Sequence, residues 1–62
     1  MPIIDITLVE GNSEENKHRL MEKITEDTVE IIGSSPDTVR VIIREIPSIH
    51  FSVAGIPRSK GG

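Results

Sequence analysis

Hydrophobic and polar residues alternate near the start of the chain, and this spacing predicts a β-strand over residues 3–9. One face of the strand is aliphatic and contains Ile4, Ile6 and Leu8. The other face is mixed, with apolar residues at Ile3 and Val9. Because both faces are largely apolar, we expect a strand that is covered on both sides.

The spacing becomes helical between Glu14 and Ile32, where apolar or neutral residues recur every three or four positions. This predicted inner stripe contains Leu20, Ile24, Thr28 and Ile31, flanked by Met21 and Ile32. Charged residues, among them Lys17, occupy the other side and predict a solvated face. Ser13 is a favourable N-cap, and Gly33 is placed to end the helix.

A second strand is predicted from Val39 to Glu45, with Arg40, Ile42 and Arg44 on one face. Strand, helix and strand form an α/β unit of the βαβ type, so we expect two parallel strands joined by a right-handed crossover. Two strands and one helix do not close a core. We therefore expect further copies of the chain to cover the exposed edges and the second sheet face.

The tail contains a short apolar stretch at residues 49–53, followed by Ala54 and Gly55. It predicts a C-terminal hairpin, or an arm that reaches a neighbouring subunit. Residues 57–62 are expected to form a mobile end.

Composition limits the classes of function. The 62 residues allow a single domain, residues 1–62, and there is no cysteine to stabilise it. The net charge of −3 argues against a nucleic-acid partner. There is no apolar run long enough for a membrane span and no secretory signal pattern, so we expect a cytoplasmic protein.

Pro2 follows Met1, and methionine is normally removed when the next residue is small, so a mature chain of residues 2–62 is expected. Its terminal proline would carry a secondary amine. An α-amino group has a reference pKa of about 7.7–8.0, and burial lowers it, so such an amine can act as a base near neutral pH.

Two arginines share a strand face with Ile42, and an arginine fork matches a carboxylate well. For Arg44 we favour an ion pair with Asp5, Glu10 or Glu45. For Arg40 the sequence leaves an ion pair and a substrate contact equally open. Phe51, the single aromatic residue, is expected to fill a core or interface, where a phenyl ring would also lower the pKa of a nearby amine.

The chain lacks the residue patterns that several classes of enzyme require. The chain has no nucleophile elbow, phosphate loop, metal-ligand spacing or paired carboxylates. The remaining possibilities are acid–base chemistry on a small acidic molecule, or no chemistry.

Nearly the whole chain resembles the 4-oxalocrotonate tautomerase family. The similar segments are Pro-Ile-Ile-Asp-Ile at 2–6, Leu-Val-Glu-Gly at 8–11, Ser-Glu-Glu-Asn-Lys at 13–17, Val-Arg-Val-Ile-Ile at 39–43 with Glu45, and His-Phe at 50–51 followed by Gly55.

The resemblance implies a βαβ subunit in a homohexamer, a trimer of dimers with active sites at subunit boundaries. It implies isomerisation of unsaturated 2-hydroxy or 2-keto acids, such as 2-hydroxymuconate from aromatic degradation, without metal or cofactor. Pro2 would be the base, Arg40 from a neighbouring subunit would bind the substrate carboxylate, and Phe51 would keep the pocket dry.

Asn12 departs from the family pattern, because muconate tautomerases carry a second substrate-binding arginine at this position. A dicarboxylate would lose a charge-assisted contact of about 1.5–3 kcal/mol. Two alternatives therefore stay open: a tautomerase of a monocarboxylate enol such as phenylenolpyruvate, and a non-catalytic assembly protein of the same fold.

Overall fold

The computed structural model describes residues 1–58, which form a βαβ unit followed by a hairpin. Two single 3₁₀ turns, Pro36–Thr38 and Ser48–His50, precede and follow the second strand. The regular elements are β1 (Ile3–Val9), α1 (Glu14–Ile32), β2 (Arg40–Ile46), β3 (Ser52–Val53) and β4 (Ile56–Pro57).

β1 and β2 are parallel, as predicted, and their register runs from Ile3 beside Arg40 to Val9 beside Ile46. The second strand begins and ends one residue later than its predicted limits. Val39 instead closes the preceding 3₁₀ turn, where its N–H donates to the Pro36 carbonyl at 3.2 Å. The predicted βαβ fold with two parallel strands is confirmed, with a one-residue shift in the limits of β2.

Both predicted ends of α1 are confirmed by their capping geometry. The Ser13 hydroxyl accepts a hydrogen bond from the Asn16 N–H at 3.1 Å, which satisfies a donor of the first turn. Gly33 has a φ of 80° and donates its N–H to the Val29 carbonyl at 3.0 Å. That left-handed conformation favours glycine and ends the helix.

The predicted inner stripe of α1 is confirmed at Ile24 and Thr28, which are half-buried, and is wrong at Leu20 and Ile31. Leu20 is 36% exposed and Ile31 is 81% exposed, whereas Lys17 and Met21 are half-buried. Lys17 reaches Glu45 on β2, and the half-buried side of the helix carries residues 17, 21, 24 and 28. Lys17 is therefore not part of a solvated face.

One face of the β1–β2 pair is covered by α1, and the other is open within the subunit. Ile3 is 64% exposed and Ile42 is 39% exposed on the open face. Among residues 1–58, Val39 is the one buried apolar side chain, at 9% exposure. Coverage of the open face by other copies stays a prediction.

The tail forms the expected hairpin. Ser52 pairs with Pro57 and Val53 with Ile56, in antiparallel register. Ala54 and Gly55 connect the strands with φ angles of 54° and 81°, as a two-residue type I′ turn requires. Pro57 is part of β4, so the predicted mobile end begins too early, and residues 59–62 of that prediction lie outside the described residues. No helix within residues 1–58 combines the length and apolar character needed to cross a membrane.

Candidate active site

Pro2 and Arg40 meet through their backbones at the amino end of the sheet. The Pro2 carbonyl accepts the Arg40 N–H at 2.9 Å, which extends the β1–β2 ladder by one residue. Met1 is 79% exposed, while Pro2 is half-buried. While Met1 is attached, the Pro2 nitrogen is an amide without basic character, so any role as a base requires its removal.

The side chains of Pro2 and Arg40 nevertheless point to opposite faces of the sheet. Arg40 lies beside Ile3 on the open face, and alternation along the chain directs Pro2 to the face covered by α1. The Arg40 Nη1 donates to the Asp37 carbonyl at 2.6 Å. No carboxylate in the part of the chain that the structure describes ion-pairs with the guanidinium. The Asp37 carboxylate is nevertheless close enough for the charge of Arg40 to contribute to lowering its pKa, after the hydrogen bonds from Ser35 and from its own backbone.

Arg44 has a different environment on the same open face. Its Nε lies 3.1 Å from Asp5 Oδ1, and its Nη2 lies 3.2 Å from Asp5 Oδ2. This hydrogen-bonded pair raises the pKa of the Arg44 guanidinium. The predicted ion pair of Arg44 is confirmed, with Asp5 as its partner.

At the opposite, carboxyl end of the sheet, Asn12 is held by hydrogen bonds to the rest of the subunit. Its Nδ2 donates to the Val9 carbonyl at 2.8 Å and to Glu45 Oε2 at 3.1 Å. Lys17 Nζ lies 3.2 Å from Glu45 Oε1, and the Lys17 and Glu45 side chains are only 24% and 26% exposed. The hydrogen bonds from Asn12 and then from Lys17 hold the pKa of the Glu45 carboxyl below its ordinary value.

Glu10 fixes the start of the tail at this same end. Its Oε2 accepts the Ser48 N–H at 2.7 Å, and its own N–H donates to the Ile46 carbonyl at 2.8 Å. Phe51 follows three residues later, donates its N–H to the Ser48 carbonyl at 3.2 Å, and is 36% exposed. Phe51 thus belongs to the Asn12 end of the subunit.

The four predicted site residues therefore fall into two pairs at opposite ends of β1. Its seven residues separate Pro2 from Asn12 by roughly 20 Å, at about 3.3 Å per residue. A small organic acid does not span that distance. One subunit places Pro2 beside Arg40 and places Asn12 and Phe51 at the other end of the sheet, so it does not bring the two pairs together.

Sequence reasoning missed the residues that hold the Asn12 end. Glu10 and Glu45 were considered only as partners for arginine, and Lys17 only as a solvated residue. A signal for Glu45 was present, because parallel pairing places the end of β2 beside the loop that follows β1. Among residues 1–58, no group of His, Cys, Asp or Glu side chains has an arrangement that could hold a metal ion.

Comparisons with known proteins identify the same family that the sequence resembles. A family model described as "Tautomerase enzyme" matches residues 2–60. The 2-hydroxymuconate tautomerase of Comamonas testosteroni is 37% identical over 62 residues, covering 100% of this chain and 98% of that protein.

Two solved structures share the whole fold. One comes from a study of the 4-oxalocrotonate tautomerase isozymes of Methylibium petroleiphilum; its TM-score is 0.88 at 41% identity, over 94% of this chain and 91% of that chain. The other belongs to a heterohexamer 4-oxalocrotonate tautomerase from Chloroflexus aurantiacus; its TM-score is 0.91 at 32% identity, over 97% of both chains.

Proposed function

Because the chain belongs to the tautomerase family and is therefore an isomerase, we propose that it converts unsaturated 2-hydroxy acids to 2-keto acids with Pro2 as general base. The observation that carries the proposal is the guanidinium of Arg40. It lies at the Pro2 end of the sheet, and among residues 1–58 no carboxylate is in ion-pair contact with it, although Asp37 lies near enough to feel its charge. An arginine in this state is suited to bind the carboxylate of an acid.

The proton transfer needs no group beyond Pro2 and the substrate. After removal of Met1, the secondary amine of Pro2 takes the proton from the 2-hydroxyl group. The C2–O bond becomes a carbonyl, the π electrons move along the carbon chain, and the prolinium returns the proton to carbon. Electrons and atoms balance within the substrate, as in any isomerisation. In the assembled site, burial of the freed amine would favour its neutral form.

Arg40 is proposed to hold the carboxylate and to stabilise the negative charge that develops as the hydroxyl loses its proton. The side chains of Arg40 and Pro2 lie on opposite faces of their own sheet. The site is therefore proposed to combine Pro2 of one subunit with Arg40 of a neighbour. Arg44 is not assigned this role, because Asp5 already neutralises it.

A homohexamer with sites at its subunit boundaries is the proposed assembly. The chain exposes 4742 Å² of surface, whereas a compact monomer of 6.8 kDa exposes about 4,000 Å². Association of subunits also removes the separation between the two pairs of site residues, because Asn12 and Phe51 of one copy then approach Pro2 of another. The related chain from Chloroflexus aurantiacus is described as part of a heterohexamer, which supports a six-subunit arrangement.

The decisive test combines an intact mass with an activity measurement. Ultraviolet absorbance follows ketonisation of an enol acid by the wild type, by Pro2→Ala, and by Pro36→Ala as a matched proline control in an exposed turn. We expect a mass without Met1 and a loss of at least about a hundredfold in kcat for Pro2→Ala alone, since general-base catalysis contributes that much.

Undiminished turnover by Pro2→Ala would overturn the mechanism. Retention of Met1 in the cell, together with no turnover of any enol acid by the Met1-free chain, would identify a non-catalytic assembly protein instead.

A further inference from the structure

The amide group of Asn12 has a defined orientation. Its Nδ2 faces the Val9 carbonyl at 2.8 Å and Glu45 Oε2 at 3.1 Å. Both neighbours are oxygen acceptors, so the opposite orientation would place Oδ1 against two oxygens and lose both bonds. Both N–H groups of the amide are therefore used inside the subunit, and Oδ1 is the atom left for an outside partner.

The charges around Asn12 also disfavour an anionic partner. The Glu45 carboxylate is held in its ionised form by the hydrogen bonds from Asn12 and Lys17. The positive charge of Lys17 is matched by Glu45 at 3.2 Å. This end of the subunit thus presents an acceptor oxygen beside the Glu45–Lys17 ion pair, in which the positive charge of Lys17 is already matched.

From this geometry we propose that the Asn12 end of the site rejects a second carboxylate, so that the substrate is an enol acid with one carboxylate and a neutral far end. The inference rests on the proposed function and names the substrate class of the same site. To receive an anion there, Asn12 would have to rotate and break two hydrogen bonds, and the incoming carboxylate would still lie close to Glu45. A neutral group, or one that donates to Oδ1, requires neither change.

In this arrangement Glu45 is a positioning residue. It aims the Asn12 amide inward and supplies a like charge, and it is not proposed to contact the reacting atoms. A purely structural role for Glu45 would affect all substrates equally. A role in selectivity would change their ratio.

The test compares two substrates that differ at the far end alone: 2-hydroxymuconate, with two carboxylates, and 2-hydroxypenta-2,4-dienoate, with one. The kcat/KM values are measured for the Met1-free wild type, Glu45→Gln, Asn12→Arg, and the matched controls Glu26→Gln and Asn16→Arg on α1. Dividing each variant's substrate ratio by that of the wild type cancels the intrinsic reactivity of the two molecules.

We expect Glu45→Gln to raise the dicarboxylate-to-monocarboxylate ratio by about tenfold, because it removes a like charge near the second carboxylate and leaves the positive charge of Lys17 without its partner. Asn12→Arg should raise the ratio further, and both controls should leave it unchanged.

A ratio that stays constant in Glu45→Gln, or one that Asn12→Arg does not raise, overturns the inference and leaves the proposed function standing. A wild type that turns over neither substrate overturns both.

Discussion

Replacing the two isoleucines on the open sheet face should dissociate the protein. The proposed variant is Ile3→Ser with Ile42→Ser. Full burial of an isoleucine is worth about 1.5–3 kcal/mol. The exposed fractions of 64% and 39% correspond to about 1–2 and 0.6–1.2 kcal/mol that the isolated subunit does not gain. Covering both side chains would thus supply about 1.6–3 kcal/mol per subunit.

This quantity is multiplied in an assembly, because every copy carries the change. Six subunits would lose about 9–18 kcal/mol of association free energy. The fold of each subunit should suffer little, since neither side chain lies on the face that α1 covers. Ile31→Ser is the matched control, because it removes an isoleucine that is 81% exposed on α1, away from this face.

Sedimentation velocity over a range of protein concentrations measures the effect, and far-ultraviolet circular dichroism verifies the fold. We expect the wild type and Ile31→Ser to sediment as one large species and the double variant to sediment as smaller ones. A double variant with the sedimentation coefficient of the wild type at low micromolar concentration would refute the covered face.

Two further predictions concern the Ser13 cap of α1 and the Glu45 carboxylate of β2, which contacts the loop between β1 and α1. Ser13→Ala should lower the free energy of unfolding by about 1 kcal/mol, because the Asn16 N–H loses its acceptor at the helix start; an unchanged urea midpoint at equal protein concentration would contradict this. The pKa of the Glu45 carboxyl is lower in the folded chain, so this carboxylate stabilises the fold above the ordinary value of about 4.3, and the contribution is lost as the pH falls through the folded pKa. Urea midpoints from pH 6 to pH 3 should therefore fall less steeply in Glu45→Gln than in the wild type, and parallel profiles would contradict the assignment.

Local chemistry explains which parts of the fold could be predicted from the sequence. Ser13 and Gly33 act within one turn of the helix ends, so their residue types alone indicate where α1 begins and ends. The period of two along residues 3–9 likewise reflects a single strand. Ala54 and Gly55 sit at the hairpin turn, although the sequence left an extended arm equally open.

The rotation of α1 about its axis and the orientation of the Asn12 amide depend on contacts between residues that are distant in sequence. For that reason the sequence did not reveal them. Lys17 is half-buried and has its partner in Glu45 on β2, 28 residues away in sequence, and Met21 lies one turn further along the same side of the helix. Asn12 could be identified as a departure from the family pattern, but its inward orientation follows from the same Glu45. Helical periodicity allowed two overlapping stripes, and packing against the sheet, which is not visible in the helix sequence, decides between them.

The division of the site residues between the two ends of the sheet links assembly to catalysis. Pro2 and Arg40 keep their mutual backbone hydrogen bond in any subunit, so dissociation leaves both residues in place. Their side chains, however, point to opposite faces, and the Asn12 end lies roughly 20 Å away. A dissociated subunit should therefore contain every proposed functional group and still lack a site. We expect Ile3→Ser with Ile42→Ser to lose turnover in proportion to the loss of the large species, at constant kcat per remaining assembly. Full activity in a dissociated sample would show that one subunit suffices, and would remove the proposed contribution of Arg40 from a neighbour.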